Sequence, residues 1–218
     1  MDVLAGKPIV LGVSGSIAAY KVAELARNLT LAGAIVDVLM TEAAQHFIGA
    51  ATFQALTGRP VLTDMWALPE DGIVSHVALG RQASLVILAP ATANTLARIA
   101  AGLSDDLLTT TVLATSAPVL CAPAMNTHMY TNSATQENIA TLRRRGMVVL
   151  EPEVGRLAEP MVGAGRLPEP ETIEGYARAV LGSRTGPLRG RHVVITAGGT
   201  HEPIDPVRFI GNRSSGRM

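Results

Sequence analysis

The sequence predicts an α/β protein in which an open, mostly parallel sheet carries helices on both faces. Five short apolar runs have the length and composition of strands buried on both sides, as in parallel sheets. Segments with helical spacing lie between them, and this alternation favours a doubly wound sheet. The expected architecture is a three-layer sandwich of the Rossmann or flavodoxin type. The predicted strands are Pro8–Val13, Ile35–Met40, Ser84–Leu88, Pro118–Ala122 and Met147–Leu150.

The helices are predicted from apolar residues at a period of 3.6 and from breakers at their ends. The first follows the first strand, and Gly33 ends it. Residues 151–170 are rich in glycine and proline and lack a periodic pattern, which is typical of a functional flap or a disordered segment. The predicted helices are Ile17–Ala32, two short pieces within Ala43–Leu56, Ser75–Arg81, Ala91–Ala101, Asp105–Thr115, Ser133–Arg145 and Glu171–Leu181.

Two domains of unequal size are expected. Residues 1–182 hold all the strand–helix units described so far, and residues 183–190 have the composition of a linker. A new strand is predicted at His192–Thr196, followed by a glycine-containing loop. Residues 191–218 are too few to bury a core of their own, so we interpret them as the truncated start of a second domain.

Composition excludes several classes of function. The chain has 218 residues, 48% hydrophobic and 17% charged, with a formal net charge of zero, which argues against nucleic acid as a partner. The single cysteine, Cys121, lies in an apolar run and is interpreted as a small core residue. The histidines are scattered, and we expect no metal site. Without a basic leader or a long apolar run, the protein is expected to be cytoplasmic with no membrane contact.

Polar residues follow three of the predicted strands. Gly15 and Ser16 follow the first, Thr41 the second and Thr92–Thr95 the third. Ligands bind at the carboxyl ends of the strands in open α/β sheets, so this pattern suggests a mononucleotide site. Helix N-termini there favour an anion such as phosphate. The pattern is neither GxGxxG nor GxxxxGK[ST], and a purely structural Gly-Ser turn remains an alternative.

Two side chains are candidates for chemistry. Asn126 follows the fourth predicted strand in the loop Ala124–Thr127, where its amide either meets a ligand or caps a helix. His76 lies at a helix start, where the helix dipole disfavours imidazolium and keeps a neutral base available. A surface or capping role is the alternative for His76, and His128 is interpreted as peripheral.

Several motifs together resemble the flavin-containing cysteine decarboxylases. The resemblance covers the whole chain and is strongest to the decarboxylase part of bacterial bifunctional coenzyme A biosynthesis proteins. Residues 198–218 resemble the opening of the ligase part of those proteins, including Asn212. The motifs that carry the resemblance are Gly15–Ala18, Ser75–Val77, Ala89–Leu108, Pro123–Asn126 and Met129–Tyr130.

The resemblance implies FMN bound between protomers of a homotrimer, with trimers assembled into a dodecamer. It implies decarboxylation of 4′-phosphopantothenoylcysteine to 4′-phosphopantetheine, through flavin oxidation of the thiol to a thioaldehyde, loss of carbon dioxide and re-reduction of the enethiol. His76 would be the catalytic base, Asn126 would hold the substrate carboxylate, and Met129 would line the substrate site. The residues implied to bind FMN are Gly15, Ser16, Thr41, Thr92, Ala93, Asn94, Thr95 and Ala124.

One departure from the family pattern concerns the flap. Family members often carry a cysteine there as proton donor for the last reduction, whereas this chain has Glu159 at about that place. We therefore expect Glu159, another flap group or water to supply the proton; the alternative is that the last half-reaction is impaired. We expect no ligase activity from residues 191–218 alone. A flavin prenyltransferase and a non-catalytic FMN-binding regulatory protein are the alternative functions.

Overall fold

The computed structural model of the protein describes residues 2–67, 75–156, 162–185, 189–192, 194–195 and 198–212. Its centre is a five-stranded sheet in the order β2-β1-β3-β4-β5, in which every neighbouring pair is parallel. Helices cover both faces, so the predicted α/β fold class is confirmed. The strands of this sheet are β1 (Pro8–Val13), β2 (Ile35–Met40), β3 (Leu85–Ala91), β4 (Val119–Pro123) and β5 (Val148–Val149).

Nine helices are described, and most lie within two residues of their predicted positions. The short α7, directly after the Pro123–Asn126 loop, was not predicted. The helices are α1 (Ala19–Leu31), α2 (Glu42–Gln45), α3 (Ala50–Thr57), α4 (Ser75–Gln82), α5 (Ala93–Ala101), α6 (Leu107–Ala114), α7 (Thr127–Thr131), α8 (Ser133–Arg144) and α9 (Pro170–Thr185).

Two apolar cores lie on opposite faces of the sheet, because successive side chains of a strand point to opposite sides. In β1, Ile9 and Leu11 belong to the core that includes buried residues of α1 and α9. Val10, between them, belongs to the other core, formed with α5, α6 and α8. All three side chains are at most 2% exposed, which explains why the strand reads as a continuous apolar run.

The chain leaves β1 for β2 on one side and returns to β3 on the other side of β1. Neighbouring strands whose connections run in opposite directions open a crevice at their carboxyl ends, the usual ligand site of such sheets. The fold therefore places a binding crevice beyond Val13 and Ala91.

Two predictions about irregular segments are corrected. The segment 151–170 contains an antiparallel hairpin, β6 (Glu153–Arg156) and β7 (Val162–Arg166), outside the central sheet. No strand is seen at the described positions of 192–196; a separate hairpin forms instead from β8 (His201–Pro203) and β9 (Phe209–Gly211). Almost every described residue from 189 to 212 is exposed. A strand at 192–196 would therefore bury little apolar surface, and little free energy would be available to stabilise it.

Neither a membrane span nor a metal cluster is found in the described ranges. None of the helices there is both long and apolar enough to cross a membrane. Within the same residues, no three histidine, cysteine, aspartate or glutamate side chains are grouped so that they could hold a metal ion.

Candidate functional site

The larger cleft, of about 630 Å³, lies at the carboxyl ends of β1, β2 and β3. It brings together most of the residues that the sequence singled out for a cofactor. Ala93 is the exception: it begins α5 but does not line the cleft. The predicted residues that do line it are Gly15, Ser16, Thr41, Thr92, Asn94, Thr95, Ala124 and Met129.

Gly15 is needed for the close packing of two strand ends. A Cβ atom at this position would lie 2.5 Å from the Cβ of Ala43 and 2.9 Å from its carbonyl carbon. Beside it, the buried hydroxyl of Ser14 donates to the carbonyl of Pro90 at 2.6 Å and accepts from the amide of Thr92 at 3.1 Å. These contacts hold the end of β1 against the end of β3 and define the floor of the cleft.

The threonines of the cleft also cap helices. The Thr41 hydroxyl accepts from the Ala44 amide at 3.2 Å, and the Thr92 hydroxyl accepts from the Thr95 amide at 3.3 Å. The N-cap of α1, Ala18, makes no side-chain capping bond. Ser16 instead accepts from the start of α1: its Oγ accepts from the Ala18 amide at 3.3 Å and its carbonyl accepts from the Ala19 amide at 3.0 Å. The structural and the ligand-binding interpretations of these residues are therefore compatible.

Carboxylates outnumber cations in the larger cleft. Among the described residues that line it, Arg98 is the one cation, and it pairs with Asp105 and Asp106 at 3.1 Å each. Asp106 also caps α6 through a capping box with Thr109. Glu42 adds a third carboxylate. A phosphate here would depend on hydroxyl and backbone N–H donors.

A smaller cavity of about 390 Å³ adjoins the cleft, and Ser16, Ala124 and Met125 line both. Asn126 lines this cavity. Its Oδ1 accepts from the backbone amide of His128 at 2.7 Å, so Asn126 is also the N-cap of α7. The N-cap places the carboxamide at the mouth of the sheet, and His128 contributes its backbone rather than its ring.

The hairpin β6–β7 packs directly on the loop that carries Asn126. The Met125 amide donates to the carbonyl of Gly165 at 2.9 Å. Gly165 has a φ of +143°, and a Cβ there would lie 2.2 Å from the Met125 carbonyl oxygen; at Gly163 it would lie 2.4 Å from Thr127 Oγ1. Both glycines permit this close approach. Sequence reasoning missed this docking, although two glycines at alternate positions of a strand are a possible signal.

Three cationic side chains also line the smaller cavity and were not predicted. They are Lys21, Arg156 and Arg166. Lys21 Nζ lies 2.9 Å from both carboxylate oxygens of Glu169, and this hydrogen bond lowers the pKa of Glu169. Arg166 also pairs with Glu169. The cavity thus combines a carboxamide on one wall with positive charge on another.

His76 lies in the first turn of α4, and it lines neither cavity. Within the described residues, its Nδ1 is buried and has no hydrogen-bond partner. A buried polar nitrogen without a partner is costly, and a catalytic role or a bound water is the usual explanation. The predicted proton donor Glu159 lies outside the described residues.

Burial raises the pKa of Cys121 to about 12, so it is the inert core thiol that was expected.

The crevice at the strand ends and its hydroxyl donors define an α/β mononucleotide-binding protein. The chain belongs to the flavoprotein family: the family model described as "Flavoprotein" matches residues 2–181. A second model, described as "DNA/pantothenate metabolism flavoprotein C-terminal domain", matches residues 188–218. The family assignment made from the motifs is confirmed.

Among curated proteins, the chain is 56% identical over 215 residues to the coenzyme A biosynthesis bifunctional protein CoaBC of Mycobacterium tuberculosis. That match covers 97% of this chain and 51% of the relative, so the chain spans about half the length of the curated relatives it matches.

Two solved structures are similar over most of their length. One is a PPC decarboxylase variant in complex with pantothenoylaminoethenethiol, with a TM-score of 0.73 and 33% identity, covering 80% of this chain and 97% of that one. The other is the FMN-dependent cysteine decarboxylase SpaF, with a TM-score of 0.71 and 33% identity, covering 82% and 97%.

Proposed function

We propose that this chain binds FMN and catalyses the decarboxylation of 4′-phosphopantothenoylcysteine to 4′-phosphopantetheine, a step of coenzyme A biosynthesis. The observation that carries the proposal is the junction of two cavities across Ser16, Ala124 and Met125. One has the donors for a mononucleotide, and the other has an amide and cations for an anionic substrate. The similarity to a PPC decarboxylase, at 33% identity, supports the same activity.

The residues of the larger cleft fit FMN. Gly15, which packs against Ala43, and the turn at Ser16 that leads into α1 provide a backbone cradle for the phosphate. The hydroxyls of Ser16, Thr41 and Thr95 add neutral donors, as a cleft rich in carboxylates requires. Bound FMN would supply an acceptor for two electrons of the substrate and later return them.

The protein's own contribution is to orient the substrate and to move its protons. Asn126 holds the substrate carboxylate through its amide N–H donors, which fixes the group that leaves as carbon dioxide. Once the thiol-bearing carbon, β to the carboxylate, is oxidised to a thioaldehyde, loss of carbon dioxide leaves a carbanion at Cα that is delocalised onto sulfur. His76 acts as the base that accepts a substrate proton. Met129 contributes apolar contact in the larger cleft, and Glu159 is retained as the proposed final proton donor.

His76 is proposed to serve a site on a neighbouring copy, with FMN at the interface between protomers of a homotrimer or dodecamer. One observation supports this: the imidazole lines neither cavity of its own chain. In a cyclic oligomer, one surface of each copy meets a different surface of the next, so each site would combine residues of two copies.

Mixing two inactive variants tests this arrangement. His76→Asn and Asn126→Ala chains are each expected to be inactive. Refolded together at equal amounts, they should regain activity at about a quarter of the sites, because random neighbours then pair an intact histidine with an intact asparagine. If the mixture stays as inactive as its components, both residues act within one chain.

The activity itself is tested with the purified protein. A yellow flavin spectrum and conversion of 4′-phosphopantothenoylcysteine to a product of the mass of 4′-phosphopantetheine are expected. Bound FMN without turnover would indicate the regulatory alternative, and a modified flavin after incubation with dimethylallyl phosphate would indicate the prenyltransferase. Release of carbon dioxide with only the enethiol accumulating would show that Glu159 does not donate the last proton.

The division of the chain is proposed on the same basis. Residues 1–182 would form the FMN-binding decarboxylase domain, in line with the family match to residues 2–181. Residues 191–218 would begin the ligase domain, in line with the second family match. Helix α9 continues to Thr185, so the linker would start later than the composition suggested. We expect no ligase activity from the residues present.

A further inference from the structure

The short helix α7 follows Asn126 directly and has few contacts of its own to hold it in place. Asn126 is its N-cap, and the amide of Tyr130 donates to the Asn126 carbonyl at 2.9 Å, so the two residues belong to one turn. Helices this short are unstable in isolation. All five residues of α7 are described, and none of them is buried. The position of the Asn126 carboxamide therefore depends on what fastens the end of α7 to the rest of the protein.

Tyr130 provides this attachment. Its ring packs, partly buried, against the core formed with α5, α6 and α8. Its hydroxyl donates to Oε2 of Glu151 at 2.5 Å, and its carbonyl accepts from Nε2 of Gln136 on α8 at 2.5 Å. This one residue thus ties α7 both to α8 and to the chain that leads into the β6–β7 hairpin.

The carboxylate of Glu151 is itself anchored to the central sheet. Its Oε1 accepts from Nη2 of Arg143 at 2.5 Å, and the same nitrogen donates to the carbonyl of Val149 in β5 at 2.9 Å. The hydrogen bonds from Tyr130 and Arg143 lower the pKa of Glu151, so it accepts as a carboxylate at neutral pH. Hydrogen bonds to an ionised acceptor are stronger than neutral ones. Tyr130, Glu151 and Arg143 therefore form a connected series of bonds from α7 to β5.

These three residues stand behind the site rather than in it. In the described part of the chain, both cavities are lined by other residues, whereas Asn126 lines the smaller one. Any effect of Tyr130, Glu151 or Arg143 on the reaction must then pass through the residues that they hold.

We propose that Tyr130 and Glu151, backed by Arg143, are positioning residues that hold the Asn126 carboxamide in the orientation required for the reaction. The inference rests on the proposed function, in which Asn126 binds the substrate carboxylate. A small displacement of such a group lowers turnover, because the reacting atoms must be aligned.

Removal of the Tyr130 hydroxyl tests the proposal in turnover. Tyr130→Phe keeps the ring and loses the bond to Glu151, so kcat should fall by about threefold to tenfold, with a smaller change in KM. Glu151→Gln keeps an acceptor for the hydroxyl and should retain more turnover than Glu151→Ala. Adding Tyr130→Phe to Glu151→Ala should lower kcat no further, because both changes break the same bond. The matched control is Tyr176→Phe on α9, where the side chain is exposed, and it should leave kcat unchanged.

Amide exchange measured by NMR tests the hold on Asn126 without turnover. The backbone amide of His128 donates to Oδ1 of Asn126 at 2.7 Å, so its exchange rate reports whether that side chain is in place. In Tyr130→Phe this amide should exchange about threefold to tenfold faster than in the unmodified protein. The amides of β1 should keep their rates, whereas a general loss of stability would speed exchange there as well.

Two results would overturn the proposal. Unchanged exchange at His128 in Tyr130→Phe would do so even if turnover falls, because the hydroxyl would then act on something other than Asn126. Faster exchange with full turnover would do so as well, because the reaction would then not depend on this hold. If the unmodified protein has no decarboxylase activity, the proposed function fails, and the exchange comparison alone decides whether Tyr130 holds Asn126.

Discussion

Replacing Gly165 by alanine should detach the β6–β7 hairpin from the Asn126 loop. The added Cβ would lie 2.2 Å from the Met125 carbonyl oxygen, and such contacts are essentially never shorter than 3.0 Å. The strand must therefore move by roughly 1 Å, which stretches the bond from the Met125 amide, now 2.9 Å long, beyond hydrogen-bond range.

The expected cost follows from two contributions. Loss of one backbone hydrogen bond costs about 0.5–1.5 kcal/mol. Alanine at a φ of +143° is strained by about 1–3 kcal/mol. Together they disfavour the docked hairpin by about 1.5–4.5 kcal/mol, which lowers its population relative to the undocked state by roughly 10- to 2,000-fold. If the docked hairpin completes the substrate cavity, kcat/KM should fall by a factor no larger than this change in population.

Hydrogen exchange at the Met125 amide measures the docking directly. The amide should exchange faster in Gly165→Ala than in the unmodified protein. Gly155→Ala is the matched control in the same hairpin, because its Cβ would make only ordinary contacts at 3.6 Å. Unchanged exchange at Met125 in Gly165→Ala, together with full turnover, would refute the reasoning.

Three further predictions concern stability and reactivity. Gly175→Ala should raise the free energy of unfolding by about 0.5–1 kcal/mol in a denaturant titration. Gly175 lies inside α9, and a Cβ added there would have no atom within 4 Å. An unchanged denaturation midpoint would contradict this prediction. Cys121 should not react with a thiol reagent at pH 8 until the protein unfolds, because the thiol is buried and its pKa is about 12. For the same reason, Cys121→Ala should retain turnover. Rapid labelling of Cys121 in the folded protein would contradict this prediction. Lys21 holds the pKa of Glu169 below its ordinary value, so this stabilisation is present above about pH 4.3 and is lost as the pH falls through the lower folded-state pKa. Between pH 6 and pH 3, the Glu169→Gln variant should therefore lose less stability than the unmodified protein. The expected difference is roughly 0.2–1 kcal/mol, because the Lys21–Glu169 ion pair is partly exposed. An identical loss in both proteins would rule out this contribution.

Local pattern was sufficient to predict the central sheet. Strands such as β1 are buried on both faces, so every residue from Ile9 to Val13 except Gly12 had to be a large apolar residue. The convergence of Ser16, Thr41 and Thr92 was predictable for the same reason, because parallel strands end at one edge and their following residues share it. Resemblance to a known family then supplied the chemistry that the pattern alone left open.

The smaller cavity was not predictable in this way. Gly163 and Gly165 are needed only because Thr127 and Met125, about 40 residues earlier, come within contact distance. The segment has no hydrophobic period because its hairpin lies outside the central sheet and is only partly buried.

The amino-acid sequence by itself determined the sheet, its helices and the edge at which polar residues gather, because apolar periodicity and strand direction are local properties of the chain. Only the tertiary structure decided which distant cations face Asn126, since Lys21 and Arg166 meet through Glu169 across nearly 150 residues of chain. It also decided that His76 lies away from the two cavities of its own chain. Such proximities depend on how the elements pack, which the spacing of residues along the chain does not encode.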